Sequence, residues 1–187
     1  MLSFTSGLDP DSGAFAIFVT EKYEYKDKKN ILSNDAVKKI NSFISVLKEK
    51  KEKEDTNFFD ISDRQKCFII KVKNKYESYF PQENGGTFFS YIKKFKDINK
   101  VDLYLDSLGF DKDKLVSFFS EFVFGFNLKS YTFNKYKTLN KNKIDTKINL
   151  KIITSNKEKI KEPALPEIVL FGLILVNLFP PMSLPKI

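Results

Sequence analysis

The sequence contains no histidine and no tryptophan, and it has one cysteine, Cys67, and one arginine, Arg64. A single cysteine excludes a disulfide within the chain. Without histidine, the chain cannot build a Cys/His zinc site or a histidine-activated serine or cysteine nucleophile. Cys67 lies in the apolar run Cys-Phe-Ile-Ile, which predicts a small buried side chain in a reduced, cytoplasmic protein.

Glycine is also scarce, with seven residues in the chain. Neither a Gly-x-Gly-x-x-Gly nor a Walker A sequence is present. Loops that hold phosphate groups use glycines to bring backbone N–H groups close to the ligand. Gly85-Gly86 is the only glycine doublet, so it is the only candidate for such a loop.

The basic charge is carried almost entirely by lysine. Lys and Arg total 32 against 24 Asp and Glu, which gives a net charge of +8 and a pI near 9.3. Arginine makes most bidentate contacts to bases and phosphates. We therefore interpret the lysines as a solvated surface, and nucleic acid is not the expected partner.

Neither end of the sequence predicts a membrane segment. The first residues show no basic region followed by a long apolar stretch, so we predict no secretory signal peptide. Residues 168–179 are apolar on every side, but this run is too short for a membrane span, which takes about 20 residues. Such a run is typical of a buried helix or an interface.

The hydrophobic pattern predicts strands that alternate with helices. Helical spacing predicts one helix capped by Ser33 or Asn34, a second opened by Gly85-Gly86 with Phe95 on its buried side, and a third from near Asp111. The predicted strands are residues 2–5, 14–20, 57–61, 67–72, 101–105 and 148–154. This order favours an α/β fold with helices on both faces of the sheet.

Four carboxylates lie close together in sequence, namely Asp102, Asp106, Asp111 and Asp113. Asp111 and Asp113 fall at a predicted helix start, where acidic side chains interact favourably with the helix dipole. We weigh this capping role above a metal-binding role.

The most specific stretch is residues 121–138. Its first part closes the third helix, whose buried face carries Leu115, Phe118, Phe119, Phe122, Val123 and Phe126. Its second part, beginning Ser-Tyr-Thr-Phe at Ser130, resembles the Ser-Tyr-x-Phe-x-x-Tyr-Lys segment that ends the N-terminal domain in the leucyl (cytosol) aminopeptidase family. Lys129 stands where the family often has glycine. The alternative is an aromatic helix end that packs onto a core.

The C-terminal tail resembles the junction between the two domains of that family. Residues 174–186 contain Leu-Val-Asn, a Pro-Pro pair and a following leucine in the family's order, but they lack its Arg-Asp and have an extra residue before Pro180. We interpret residues 1–155 as the family's N-terminal domain, and residues 156–187 as a linker and the truncated start of a catalytic domain. The alternative is a hydrophobic tail particular to this protein.

The resemblance implies a macro-domain-like mixed sheet flanked by helices, followed by a short apolar linker helix. In the family, the C-terminal domain holds two divalent metal ions, Mn or Zn, and hydrolyses the first peptide bond. Its Asn-Thr-Asp-Ala-Glu-Gly-Arg signature is absent here, so we assign no catalytic, cofactor-binding or metal-binding residue. We expect an inactive domain with an assembly or regulatory role, in a homo-oligomer like the family hexamer or beside a separate catalytic chain.

Two alternative functions come from a different class. By analogy with macro domains, the chain is a nucleotide or ADP-ribose binding module. Alternatively, lysines and tyrosines that interleave between residues 131 and 143 form a non-specific nucleic-acid binding module, whose affinity would fall steeply with salt.

Overall fold

A computed structural model describes residues 2–75, 77, 79–130 and 148–155 of the 187-residue chain. In chain order the elements are β1 Leu2–Thr5, β2 Ala14–Thr20, α1 Asn34–Glu49, β3 Thr56–Ser62, β4 Gln65–Val72, α2 Phe80–Ile92, β5 Lys100–Tyr104, a 3₁₀ turn at Leu105–Leu108, α3 Lys112–Ser130 and β6 Asn149–Ile153. The predicted order of strands and helices is confirmed.

The strands form one six-stranded sheet in the order β1-β6-β5-β2-β4-β3. Neighbouring strands are parallel, except that β3 pairs with β4 in antiparallel orientation. The expected mixed α/β sheet with flanking helices is therefore confirmed. The predicted apolar linker helix falls outside the described residues, and the division of the chain at residue 155 stays a prediction.

Helices cover both faces of the sheet. Alternate residues of β2 point to opposite faces, and each set contacts different helices. Phe15, Ile17 and Val19 belong to the buried cluster that contains Ile40 and Ile44 of α1. On the other face, Phe18 packs edge-to-face against two rings of α3, and β4 contacts α2 in the same way. The ring centroids lie 5.6 Å apart for Phe18–Phe118, 5.4 Å for Phe18–Phe122 and 5.3 Å for Phe68–Phe88.

The predicted start of α2 is wrong. The helix begins at Phe80, with Pro81 in its first turn, so Gly85 and Gly86 lie inside the helix. The cause is tertiary: a β-carbon on Gly85 would stand 1.9 Å from the carbonyl oxygen of Phe122, so only glycine permits this approach of α3. Phe95 lies beyond the end of α2.

Two predicted helix caps are confirmed, and so is the buried cysteine. The backbone N–H of Ala36 donates to the side chain of Ser33 over 3.1 Å, and that of Lys114 donates to the carboxylate of Asp111 over 2.9 Å. Cys67 is fully buried in β4, and burial raises the pKa of its thiol. Helix α3 ends at Ser130, so the second half of the 121–138 stretch lies outside the described residues.

Candidate functional site

The first candidate position for a ligand site is the edge of the sheet where the parallel strands end. After β2 the chain passes through α1 to β3 and then β4, which lie on one side of β2 in the sheet. After the neighbouring β5 it passes through α3 to β6, which lies on the other side. In open α/β sheets, ligands bind beyond the carboxyl ends of the strands at such a reversal. The reversal here lies between β2 and β5.

The chain's own residues occupy the beginning of this crevice. The Ser107 side chain accepts a hydrogen bond from the backbone N–H of Phe18 over 2.8 Å and donates one to the carbonyl of Tyr104 over 2.6 Å. The backbone N–H of Lys26 donates to the carbonyl of Ser107 over 2.8 Å. The Lys26 side chain lies over Gly109, where an added β-carbon would stand 2.4 Å from its Cδ.

Asp27 fixes the loop between β2 and α1 over the same edge. One oxygen of its carboxylate accepts the Tyr104 hydroxyl and the Ile31 N–H, each over 2.8 Å, and the other accepts the Leu32 N–H over 2.9 Å. Burial and the Asp27 carboxylate raise the pKa of the Tyr104 hydroxyl, which therefore remains a proton donor. The arrangement anchors a loop, and its donors and acceptors are already used.

Asp106 plays a similar part between the ends of β5 and β6. Its carboxylate accepts the Thr154 hydroxyl over 2.8 Å, the Ser155 N–H over 2.8 Å and the Ser155 hydroxyl over 2.6 Å. The predicted carboxylate thus ties the end of β6 to the 3₁₀ turn.

Asp102 lies at the centre of a second polar group, which we call the Asp102 cluster: Asp9, Ser12, Asp102 and Lys151. Asp102 is fully buried, and its two oxygens accept the Asp9 N–H over 2.6 Å and the Ser12 hydroxyl over 2.7 Å. Lys151 pairs with the Asp9 carboxylate. The cluster holds the loop between β1 and β2 against the sheet.

The electrostatics of the Asp102 cluster follow from these contacts. Burial raises the pKa of the Asp102 carboxyl, and the two hydrogen bonds oppose this shift. The hydrogen bond from Lys151 lowers the pKa of Asp9, and the same contact raises the pKa of Lys151. The two oxygens of Asp102 are directed at this chain's own groups, the Asp9 N–H and the Ser12 hydroxyl.

The four carboxylates that are close in sequence are not brought together as one site. Asp102 is buried in β5, and Asp106 contacts β6. Asp111 caps α3, and Asp113 lies in the first turn of that helix. Within the described ranges, no group of three or more His, Cys, Asp or Glu side chains is placed to hold a metal ion. The partners of Asp102 were not predicted, since Asp9, Ser12 and Lys151 are distant in sequence and carry no shared motif.

Among the helices of the described residues, none is both long enough and apolar enough to cross a bilayer.

Comparison with known proteins finds similarity in structure only. No protein-family model and no curated protein sequence matches the chain. A tomato leucine aminopeptidase mutant superposes with a TM-score of 0.60 at 12% identity, over 86% of this chain and 34% of that one. The macrodomain of Thermus aquaticus DarG superposes with a TM-score of 0.55 at 10% identity, over 82% of this chain and 98% of that one.

At identities this low, the two superpositions establish the fold of this chain and nothing more. The chain spans 34% of the length of the tomato enzyme. The part of this chain that carries the shared fold is a six-stranded mixed sheet flanked by helices. A fold of this kind hosts many functions, and the fold alone does not assign one to this chain.

Proposed function

We propose that this chain is a non-catalytic, macrodomain-like N-terminal domain of a leucyl-aminopeptidase-like protein, with an assembly or regulatory role in the cytoplasm. The observation that carries the proposal is the superposition with the tomato enzyme over 86% of this chain and only 34% of that one. The resemblance of residues 121–138 to the family's segment supports it independently of the fold.

The sheet edge supports a scaffold role. The crevice between β2 and β5, the usual place for a ligand in such a sheet, begins at Ser107, which accepts hydrogen bonds from Phe18 of β2 and from Lys26. Residues used in this way stabilise the loops at this edge of the sheet. The metal-dependent peptidase chemistry, with Mn or Zn, would belong to a separate catalytic domain or chain.

An activity assay tests the non-catalytic part of this proposal. We expect the purified full-length chain to release no p-nitroaniline from leucine p-nitroanilide in the presence of Mn²⁺ or Zn²⁺, while an intact leucyl aminopeptidase under the same conditions serves as the positive control. Metal-dependent release by this chain would contradict the proposal.

Light scattering coupled to size exclusion tests the assembly part. We expect a mass that is a multiple of the 21.8 kDa protomer, or a stable complex when a leucyl aminopeptidase catalytic domain is added. A protomer that stays monomeric and associates with neither itself nor the catalytic domain would contradict an assembly role.

A second candidate function is binding of ADP-ribose or a related nucleotide. It is favoured by the superposition with the DarG macrodomain, which covers 98% of that chain. Gly85 and Gly86 do not support it, because they lie in the interior of α2 and cannot form a phosphate loop. Saturable heat on titration with ADP-ribose would favour this candidate, and no heat at millimolar ligand would remove it.

A further inference from the structure

The C-terminal ends of α2 and α3 form a groove that is lined by three lysines. Its volume is about 290 Å³, and its walls are Phe89, Ser90, Lys93, Lys94 and Lys129. We call it the lysine groove. It is separate from the crevice at the carboxyl edge of the sheet and from the Asp102 cluster.

The close crossing of the two helices creates this groove. Gly85 contacts the backbone of Phe122, and a β-carbon on Gly125 would stand 1.9 Å from the carbonyl oxygen of Gln82, so the helices pack almost backbone to backbone. They run in the same direction and therefore end side by side. The Cβ of Lys129 lies 3.7 Å from the place where a β-carbon on Gly86 would stand, which directs Lys129 toward α2.

Within the part of the chain that the structure describes, no ion pair joins a lysine of the groove to an acidic side chain. Among the described residues the ion pairs are Lys39–Asp35, Lys66–Asp60, Lys71–Asp55 and Lys151–Asp9, and none involves the groove. The ammonium groups of Lys93 and Lys94 instead lie 5.7 Å and 4.4 Å from the ring centroids of Phe89 and Tyr91. The lining contains lysines and no carboxylate, a composition that favours an anion over a cation.

Helix dipoles account for part of this arrangement. Lysines near a helix C-terminus interact favourably with its partial negative charge. That effect explains Lys93 and Lys129, which lie at the ends of α2 and α3, but it does not require them to meet Lys94 around one concave surface. The presence of all three lysines in the lining of one groove is the observation that indicates a ligand.

We propose that the lysine groove binds a small polyanion with clustered phosphate groups, such as an oligophosphate. Lysine acts on phosphate as a flexible point charge, whereas planar bidentate recognition uses arginine. A peptide partner would need an apolar anchor, but Phe89 is only 5% exposed and the other lining residues are polar. The volume, about 290 Å³, lies just below the usual range for small-molecule sites, about 300–1,000 Å³.

Titration of the full-length chain with inorganic tripolyphosphate at low ionic strength tests the proposal. The groove variant is Lys93→Gln/Lys94→Gln/Lys129→Gln. The matched control is Lys28→Gln/Lys29→Gln/Lys38→Gln, which removes the same charge from exposed lysines elsewhere. We expect saturable binding by the unsubstituted chain, affinity at least about tenfold weaker in the groove variant, and affinity within about twofold in the control.

Circular dichroism of both variants verifies that they remain folded, and two-dimensional NMR of the unsubstituted chain should place the perturbed amides in residues 89–94 and 126–130. Binding should weaken as salt is added, since exposed charges are screened.

Equal losses in the two variants would overturn the proposal by assigning the attraction to overall charge. So would the absence of binding, or tighter binding of a glutamate-rich peptide than of tripolyphosphate. The inference does not depend on the leucyl-aminopeptidase-like role.

Discussion

Asp102 is a fully buried acid whose two oxygens accept hydrogen bonds from the loop between β1 and β2. Its replacement by alanine would leave the Asp9 N–H and the Ser12 hydroxyl without an acceptor, and unsatisfied polar groups of this kind cost about 1–3 kcal/mol each. We therefore expect Asp102→Ala to lower the free energy of unfolding by about 2–4 kcal/mol. Urea unfolding followed by circular dichroism measures the loss.

Asp63→Ala is the matched control for that substitution, because Asp63 is exposed in the turn between β3 and β4. It should change the free energy of unfolding by less than about 0.5 kcal/mol. If Asp102→Ala were as mild as this control, the Asp102 cluster would not hold the loop.

The ionisation of Asp102 predicts a pH effect. Burial raises the pKa of this carboxyl above its ordinary value of 3.8, so the native protein holds the proton more tightly than the unfolded chain. The ionised form therefore reduces stability at neutral pH, and this loss is recovered as pH falls through the raised pKa. Asp102→Asn removes the titration while keeping one acceptor for Asp9 and one donor toward Ser12.

The measurement is the difference in unfolding free energy between the unsubstituted chain and Asp102→Asn. We expect the unsubstituted chain to gain stability relative to the variant as pH is lowered from about 7 to about 4. Subtraction largely removes the contribution of Asp9, whose pKa is lowered by Lys151 and acts in the opposite direction. A difference that stays constant or falls would mean that the native pKa of Asp102 is not raised.

Single residues were predictable from the sequence where their roles are local. Asp111 caps the helix that follows it, and Cys67 is buried within its own strand, so the neighbouring residues carry the necessary information. Asp102 depends on Ser12 and Lys151, which reach it only through the sheet order. Nothing in the local pattern distinguishes this buried carboxylate from the exposed carboxylates Asp111 and Asp113 that follow it.

At the scale of elements, the crossing of α2 and α3 offers two adjacent glycines with opposite expected behaviour. Gly85→Ala would place a β-carbon 1.9 Å from the Phe122 carbonyl oxygen, so the helices would have to separate. Gly86→Ala meets its nearest atom, the Gly125 carbonyl oxygen, at 3.6 Å, an ordinary contact. Both substitutions increase helix propensity equally, and they therefore isolate the packing effect.

We expect Gly85→Ala to destabilise the protein by about 2–4 kcal/mol, as overpacking against backbone does, and Gly86→Ala to stabilise it by up to about 1 kcal/mol. Thermal and urea unfolding of the two variants measure the difference. Equal effects in the two variants would show that the helices are not in backbone contact at Gly85.

This pair also explains why the start of α2 was predicted wrongly. Glycine is a poor helix former, so a doublet next to an apolar pattern suggests a boundary. Here tertiary packing overrides propensity, because a close crossing needs residues without side chains. The lysine groove depends on the same crossing and was equally hidden from the sequence.

At the scale of the molecule, the alternation of strands and helices was readable, but their arrangement in space was not. Apolar runs such as residues 14–20 predict buried strands by themselves. The sheet order, in contrast, places β6 between β1 and β5, which precede it in sequence by long stretches. Pairings of this kind are decided by packing and topology, so the site residues near β6 could not be grouped in advance.

The place of β6 provides a test of the predicted domain boundary. A chain that ends at Ser155 keeps β6 and the hydrogen bonds from Thr154 and Ser155 to Asp106. A chain that ends at residue 147 loses β6, and β1 then has no parallel neighbour. We expect the 1–155 chain to unfold cooperatively in urea and to keep a near-ultraviolet circular dichroism signal. We expect the 1–147 chain to do neither, because without β6 its β1 has no strand to pair with and the core beside β5 is exposed. If the 1–155 chain also lacked a cooperative transition, residues 156–187 would be part of the folding unit and the predicted boundary at residue 155 would be wrong.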